Sequence, residues 1–321
     1  MAILGIDLGG TKLASALFTE DGKLIDKQVI SIASNKGKQV SLLITSAIQE
    51  LIVKHQEHKV HSIGIAVPGI SRHTTGTVWA PNISGWEDYP LLEEVSQLNP
   101  NVPVVIESDR ACCISGELWQ GNARGCKDVI YLTVGTGIGA GILVNGQILK
   151  GAHDIGGAIG WMAMDRPFEK KFISCGCFEY YASGNGIAKV ATEIMLQDNS
   201  YKGELRKHSA ETITAHDVFS AYDKKDTVAV MVINQCIEFW GMAIANLVSL
   251  FDPEKIILGG GIFGPAARFI PAIRNEAYKW AQPISIKMTS IESSLLKEEA
   301  GLYGAAFLAL EKSKHHNDQD V

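Results

Sequence analysis

Apolar positions recur with two different periods along this chain. Residues 3–7 form an apolar run that ends in an acid, Asp7, and residues 13–18 resume the run on the far side of Gly9-Gly10-Thr11-Lys12 before the turn Asp21-Gly22. This pattern predicts strands joined by tight turns in a meander of hairpins. Val40, Leu43, Ile44, Ala47, Ile48, Leu51 and Ile52 then fall on one face of a helix. Residues 63–67 read as a buried strand closed by Pro68-Gly69, so the first part of the chain is α/β.

A second hairpin repeats the first. Residues 129–134 are apolar, Gly135-Thr136-Gly137-Ile138-Gly139 interrupts them, and residues 141–144 resume the pattern before the turn Asn145-Gly146. Two structurally related halves are expected, and 321 residues is enough for two cores with a cleft between them. The expected domains are 1–118 with 300–321, and 119–299. Residues 300–310 read as a small-residue helix that packs back onto the first domain, and the tail after Lys312 is expected to be disordered. Residues 228–251 are apolar enough to raise the question of a membrane span. Asn234, Gln235, Glu238 and Asn246 interrupt them, and the stretch reads as a buried helix.

Charge and cysteine content narrow the class. The formal net charge of -6 is spread along the chain without basic patches, which argues against a nucleic-acid partner. No basic, apolar and cleavage regions follow one another at the N-terminus, so a cytoplasmic protein with no membrane association is expected. The six cysteines, with Cys112 beside Cys113 and Cys175 two before Cys177, read as reduced thiols.

Both glycine hairpins carry candidate chemistry. Asp7 stands at a strand end beside glycines whose N–H groups can approach an anion, which suits a phosphate and its metal. With the turn at Thr136 and Gly137 supplying the other side, the two hairpins are expected to hold one triphosphate. Gly135 to Ala140 matches a dinucleotide fingerprint, but a strand pattern follows it instead of a helix. Gly259 to Gly264 also matches and precedes a helix expected to open at Pro265. No acid ends the strand expected at 284–288, so this segment reads instead as a glycine platform against an adenosine. The P-loop pattern is absent. Asp109 follows the strand at 104–106 and opens a helix at 110–119, where it suits either an N-cap or an ionised base for phosphoryl transfer.

Taken together and in order, these motifs resemble those of the ROK family of sugar kinases and related repressors over essentially the whole chain. Asp7-Leu8-Gly9-Gly10-Thr11-Lys12 is similar to the family's first phosphate motif, and Val67-Pro68-Gly69 to its Pro-Gly loop. Ala80-Pro81-Asn82-Ile83 with Gly85-Trp86 resembles a segment that frames the sugar, and Glu107-Ser108-Asp109 the catalytic Glu-Asn-Asp element. Gly135 to Gly139 resembles the second phosphate motif, and Asp252-Pro253 through Gly259-Gly260-Gly261 the adenosine motif. The resemblance implies a two-domain actin-like ATPase (ribonuclease H-like) fold of hexokinase type with an interdomain cleft. It also implies ATP with magnesium, and phosphorylation of a hexose or aminohexose, commonly at the 6-hydroxyl. A homodimer is the expected assembly.

The roles implied are Asp109 as base and Asp7, Gly9, Gly10, Thr11, Lys12, Thr136, Gly137, Gly260 and Gly261 around the nucleotide, with magnesium near Asp7. Gly69, Asn82, Ser108 and Glu179 fall on the sugar side. The chain also departs from the family. Ser108 stands where Asn is usual, and Gly157-Ala158-Ile159-Gly160-Trp161 replaces Gly-Glu-x-Gly-His, removing a sugar-binding Glu and a zinc-ligand His. The family's zinc cluster, Cys-x-Cys-Gly-x-x-Gly-Cys, aligns with Lys170, Phe172, Ile173, Gly176 and Cys177, which keeps only the last cysteine, so no structural zinc is expected. Trp161 is expected to fill the volume of the lost metal site, its alternative being to stack on a pyranose. His153 and Asp154 are expected at a turn surface. Glucose is the default sugar, with N-acetylmannosamine, N-acetylglucosamine, mannose, allose and fructose open. A repressor would carry a DNA-binding domain ahead of Asp7, which only six residues precede; a catalytically silent sensor is the remaining rival.

Overall fold

Six of the seven residues of strand β1 (Ala2–Leu8) are buried, because the strand lies inside its sheet with both faces covered; Asp7 is the exception. β1 pairs antiparallel with β2 (Lys12–Thr19), which pairs antiparallel with β3 (Leu24–Ser31). Helix α1 (Lys38–Lys54) leads to β4 (Val60–Val67), parallel to β1. A two-stranded hairpin of β5 (Ile70–Arg72) and β6 (Thr77–Trp79) and helix α2 (Leu91–Leu98) come before β7 (Val104–Ser108), which is parallel to β4 and runs straight into α3 (Asp109–Gln120). The sheet order is β3-β2-β1-β4-β7. Leu4, Ile6 and Leu8 alternate onto the face covered by α1 and α2, packing with Ile44, Ile48, Leu51 and Leu91. Each such side chain contributes about 1.5–3 kcal/mol by leaving water.

The second sheet repeats this plan. β8 (Val129–Val134) pairs antiparallel with β9 (Ile138–Val144), β10 (Gln147–Ile148) adds an edge, and the chain then runs through α4 (Cys177–Ala182), α5 (Gly184–Gln197), α6 (Ala215–Asp223) and α7 (Thr227–Phe251). β11 (Lys255–Gly259) is parallel to β8, and after α8 (Ile270–Trp280) and α9 (Ser285–Met288), β12 (Ser290–Ser293) is parallel to β11. The order β10-β9-β8-β11-β12 matches the first sheet position by position, as expected for the actin-like ATPase fold. α7 lies in the core of this unit, with Val232, Cys236, Trp240 and Ala243 buried, while Asn234, Glu238 and Asn246, at spacings of four and eight, form its exposed stripe.

Two details of the second unit differ from the sequence expectations. Residues 285–288 form α9, and the following strand is β12, which does contain an acid. That acid, Glu292, is paired with Lys255 of β11 at 3.3 Å, so an ion pair within the sheet occupies the side chain that a ribose would need. In addition, Pro265–Phe269 is a 3-10 turn, and the regular helix begins only at Ile270.

α10 (Ala300–Asn317) returns to the first sheet and covers its other face, where Leu302, Ala306, Ala309 and Leu310 pack on Ile3, Ala16 and Phe18. The approach is close: a methyl group on Gly64 of β4 would lie 1.8 Å from the Ala305 carbonyl oxygen. The helix continues through Asn317, beyond the point after Lys312 where disorder is expected from composition. The computed structural model describes residues 1–32 and 35–317, so the last four residues of that tail lie outside the described residues. Two units result: Met1–Gly125 with Ile148–Gly156 and the segment from Glu298, and Cys126–Gln147 with Gly157–Lys297.

Candidate active site

In the first unit, Asp7 sits near the carboxyl end of β1, next to the turn that Gly9 N–H closes on Lys12 O at 2.9 Å. Its carboxylate is packed against the first turn of α10, where a methyl on Gly301 would lie 2.9 Å from Asp7 Oδ2. Burial, with the nearby charge of Asp109 adding to it and Lys12 opposing it, pushes the Asp7 pKa up to about 7. Gly10, Thr11 and Lys12 are exposed at the turn, and Lys12 pairs with Glu298 at 2.9 Å.

Asp109 is the first residue of α3, but it is not the cap. Ser108 takes that place, its Oγ accepting the Ala111 N–H at 3.4 Å, and so Asp109 is relieved of capping. Asp109 Oδ1 accepts the N–H of Arg110 at 2.8 Å. Burial raises the Asp109 pKa against the charge and N–H of Arg110, a correction to the expectation that a helix N-terminus keeps this group readily ionised. The structure therefore brings Asp7, Asp109 and Ser108 to the carboxyl ends of β1 and β7, which run parallel with β4 between them. Burial, with the charges of Glu107, Asp7 and Asp109 adding to it, holds the pKa of the Cys112 thiol far above the ordinary range.

Gly69 stands where no side chain fits, at φ 102° with its hypothetical methyl 2.2 Å from Trp79 O, and its carbonyl accepts Arg110 Nη2 at 3.1 Å. This bond ties the Pro-Gly loop to the residue after Asp109. Asn82 is exposed on the loop after β6.

In the second unit, Thr136 lies exposed at the tip of the β8–β9 hairpin, with Gly135 N–H bonded to Gly137 O at 2.9 Å. The hairpin is held from below by the start of α5, whose Gly184 N–H donates to Gly135 O at 2.8 Å, and by Glu179, whose Oε2 accepts the Ile138 N–H at 2.7 Å. Gly137 leaves room for that carboxylate, since a methyl there would lie 2.6 Å from it. Burial raises the Glu179 pKa, and the Ile138 N–H offsets part of the rise. Gly260, at φ 84°, packs its backbone on Val134, whereas a methyl on Gly261 would meet nothing within 4 Å.

Trp161 does not fill a metal-sized volume: it is 58% exposed. It is the Trp161 backbone that the neighbouring loop packs on, since a methyl on Gly176 would lie 2.5 Å from the Trp161 Cα. Phe172 is the buried residue of the replaced zinc segment, with its ring 5.6 Å from that of Tyr180 and 5.7 Å from that of Tyr181.

The sequence gives no warning of one further cluster. His73, in the turn between β5 and β6, lies 2.9 Å from Glu107 and 2.9 Å from Asp154, and Lys150 lies 3.0 Å from Glu107. Asp154 thus holds a side-chain partner, instead of serving only a turn surface. Glu107 and Asp154 drew notice through neighbouring motifs, but separations of 34 to 81 residues leave no spacing from which the contact follows.

The ROK family model matches residues 3–312. A glucokinase of Halalkalibacterium halodurans is 32% identical over 95% of this chain and 94% of its own. A ROK family glucokinase from Streptomyces griseus, solved in complex with glucose and AMPPNP, is 28% identical, with a TM-score of 0.77 over 97% of this chain and all of its own. A ROK hexokinase from Thermus thermophilus is 27% identical, with a TM-score of 0.79 over 98% of this chain and all of its own. With the family model spanning nearly the whole chain and a glycine hairpin in each of its two matching sheets, this protein belongs to the ROK family.

Proposed function

We propose that this chain, a sugar kinase, takes its phosphoryl group from ATP and delivers it to a hexose hydroxyl, with the 6-hydroxyl of glucose as the first expectation and an N-acylhexosamine as the alternative. The observation that carries this reading is Asp109, a carboxylate with a raised pKa, freed from capping by Ser108 and lying within electrostatic reach of Asp7. A raised pKa makes a better acceptor for a hydroxyl proton, and Asp109 is assigned that role.

Whether the chain fits a polyphosphate is supported by three glycines. Methyl groups on Gly10, Gly135 and Gly261 would meet nothing within 4 Å, and none of the three has a positive φ, so neither packing nor backbone requires glycine there. A ligand drawn close to the backbone supplies the reason. Gly9, Gly10, Thr11 and Lys12 are assigned to the phosphates with Thr136 and Gly137, and Gly260 and Gly261 to the adenosine. Magnesium, held through the phosphates near Asp7, would supply charge neutralisation during transfer. Gly69, Asn82, Ser108 and Glu179 are assigned to the sugar, and the exposed indole of Trp161 favours stacking on a pyranose over a role in the core.

The test is ATP consumption by the purified protein against a panel of hexoses and aminohexoses. Sugar-dependent turnover with one or a few members is expected. Tight sugar binding with no ATP consumption across the panel would instead establish a sensor.

A further inference from the structure

Four charged side chains from three parts of the first unit meet beside the joint between β7 and α3. Glu107 is 6% exposed, and its two oxygens are both engaged. Oε1 accepts the N–H of Ser108 at 2.8 Å; Oε2 lies 2.9 Å from His73 Nε2 and 3.0 Å from Lys150 Nζ. His73 turns its other ring nitrogen to Asp154 Oδ1 at 2.9 Å, and its backbone N–H donates to Asp154 Oδ2 at 3.2 Å. Lys150 Nζ also touches His73 Nε2 and its charge opposes protonation of the ring, but the carboxylate on each ring nitrogen outweighs it, and an imidazole that donates from both nitrogens is a cation. Two acids and two cations then balance, so the cluster is no binding site for a free anion.

Its placement points to another role. The Ser108 N–H that Glu107 holds belongs to the cap of α3, and Asp109 follows it directly. The β5–β6 hairpin that carries His73 is itself fixed to this joint, because Ser71 Oγ donates to Ile106 O at 2.9 Å. On the other side, Gly156 N–H donates to Lys150 O at 2.8 Å and closes the Ile148–Gly156 segment into a loop. Asp154 adopts a left-handed conformation within that loop, at φ 58°, which Asp tolerates better than most residues.

We propose that His73 is a positioning residue for phosphoryl transfer: by gripping Glu107 it fixes the Ser108–Asp109 joint and ties the Ile148–Gly156 loop to it. The role rests on Asp109 being the base. Glu107 needs cationic partners to stay ionised where it is buried; Lys150 supplies one from the loop that is to be tied, while His73 supplies the other from the hairpin fixed to Ile106 and so holds both Glu107 and Asp154.

Two substitutions separate the bonds of His73. In His73→Gln the amide nitrogen reaches as far as Nε2 and keeps a donor toward Glu107; in His73→Asn the shorter amide replaces Nδ1, keeping Asp154 and losing Glu107. Turnover in His73→Asn is expected to fall roughly 10- to 100-fold, as a small misplacement of a reacting group does, with KM for ATP within about twofold of the parent. His73→Gln should recover most of the loss. Amide hydrogen exchange of the protein without nucleotide or sugar should quicken at Ser108 in His73→Asn and stay near the parent there in His73→Gln, whereas residues 148–156 should quicken in His73→Gln, which releases the Asp154 side chain. Equal turnover in the two variants, or unchanged exchange in His73→Asn, overturns the proposal. The exchange measurement needs no reaction, so it decides on the grip even if no sugar in the panel is phosphorylated, a result that would count against the kinase reading alone.

Discussion

Gly304 of α10 lies so close to Cys112 of α3 that a methyl group on Gly304 would sit 1.6 Å from the Cys112 carbonyl oxygen. Gly116 faces the same helix, with its hypothetical methyl 2.2 Å from Ala300 O, so glycines on both helices set their separation. Because α3 begins with Asp109, this packing also sets where the proposed base stands. Gly304→Ala should lower stability by roughly 1–3 kcal/mol or more, since backbone atoms would have to move apart. Gly10→Ala, with open space around it, should change stability by less than about 0.5 kcal/mol and still lower turnover by crowding the phosphates. Urea unfolding midpoints together with steady-state kinetics check the pair; a stability loss in Gly10→Ala equal to that in Gly304→Ala would count against the division between packing and ligand glycines.

Asp109→Asn keeps the shape of the side chain but cannot accept a proton. Turnover should fall by roughly 10²- to 10⁴-fold while sugar binding persists. A second outcome follows from the raised pKa. A carboxylate whose pKa is higher folded than unfolded makes the folded state hold its proton more tightly, so stability falls as pH rises above the unfolded value of 3.8. Asparagine removes that effect. The variant should therefore melt at a higher temperature than the parent at pH 8, and the gain should vanish in acid. Unimpaired turnover in the variant would take the base role away from Asp109.

How far the sequence reached depended on whether a feature was local. Both hairpins, α1, α7 and the buried strands follow from periodicity and turn residues, because each is specified by its own neighbours in the chain. Residues 284–288 have the pattern of a strand but fold as a helical turn: Ile284, Ile286 and Met288 alternate with polar residues over a stretch too short to distinguish strand from helix, and Gln282 Oε1 accepts the N–H groups of Ile284 and Ser285 to start the turn. The exposure of Trp161 is a tertiary property that no local pattern carries. His73 and Lys150 carry no local signal for the same reason, since only the tertiary fold brings them to Glu107.

The same cluster predicts a pH dependence. His73 is raised above its ordinary 6.5, chiefly by the bond to Glu107, with burial and Lys150 opposing and Asp154 assisting. For Glu107, burial favours the neutral acid, but His73, Lys150 and the Ser108 N–H outweigh it and hold the pKa below 4.5. Stabilisation from His73 is complete below pH 6.5 and lost as pH rises through its raised folded value; that from Glu107 is complete above 4.5 and lost as pH falls through its lowered one. Arg72, next in the chain, is turned to Asp88 at 3.6 Å. After correction for intrinsic rates, hydrogen exchange across residues 148–156 should be slowest near pH 6 and quicken by pH 9, and His73→Gln should flatten that rise. A parent profile without the rise would show that His73 carries no charge in the cluster.

The segment that aligns with the family's zinc site should hold its shape without metal. A tetrahedral site needs four ligands, and the aligned positions Trp161, Lys170 and Phe172 supply none, leaving Cys177 with Cys175 nearby. Among the described residues, no group of three or more His, Cys, Asp and Glu side chains is arranged to hold a metal ion. Another set of interactions occupies this region. Phe172 is 4% exposed among the rings of Tyr180 and Tyr181, and the ammonium of Lys171 lies 5.2 Å from the centroid of each of these three rings, anchored by Glu169 at 2.9 Å. Tyr181 is stacked in turn on Phe239 of the core helix α7, with centroids 4.7 Å apart, so the loop is joined to the core through aromatic contacts. Phe172→Ala should then lower stability by about 3–5 kcal/mol, and added zinc should not restore it. Chelator should leave the parent's melting temperature unchanged, and metal analysis should return far less than one zinc per chain. Stoichiometric zinc that survives dialysis, or a melting temperature that falls with chelator, would mean that Cys175 and Cys177 recruit ligands from elsewhere and that the aromatic cluster is secondary.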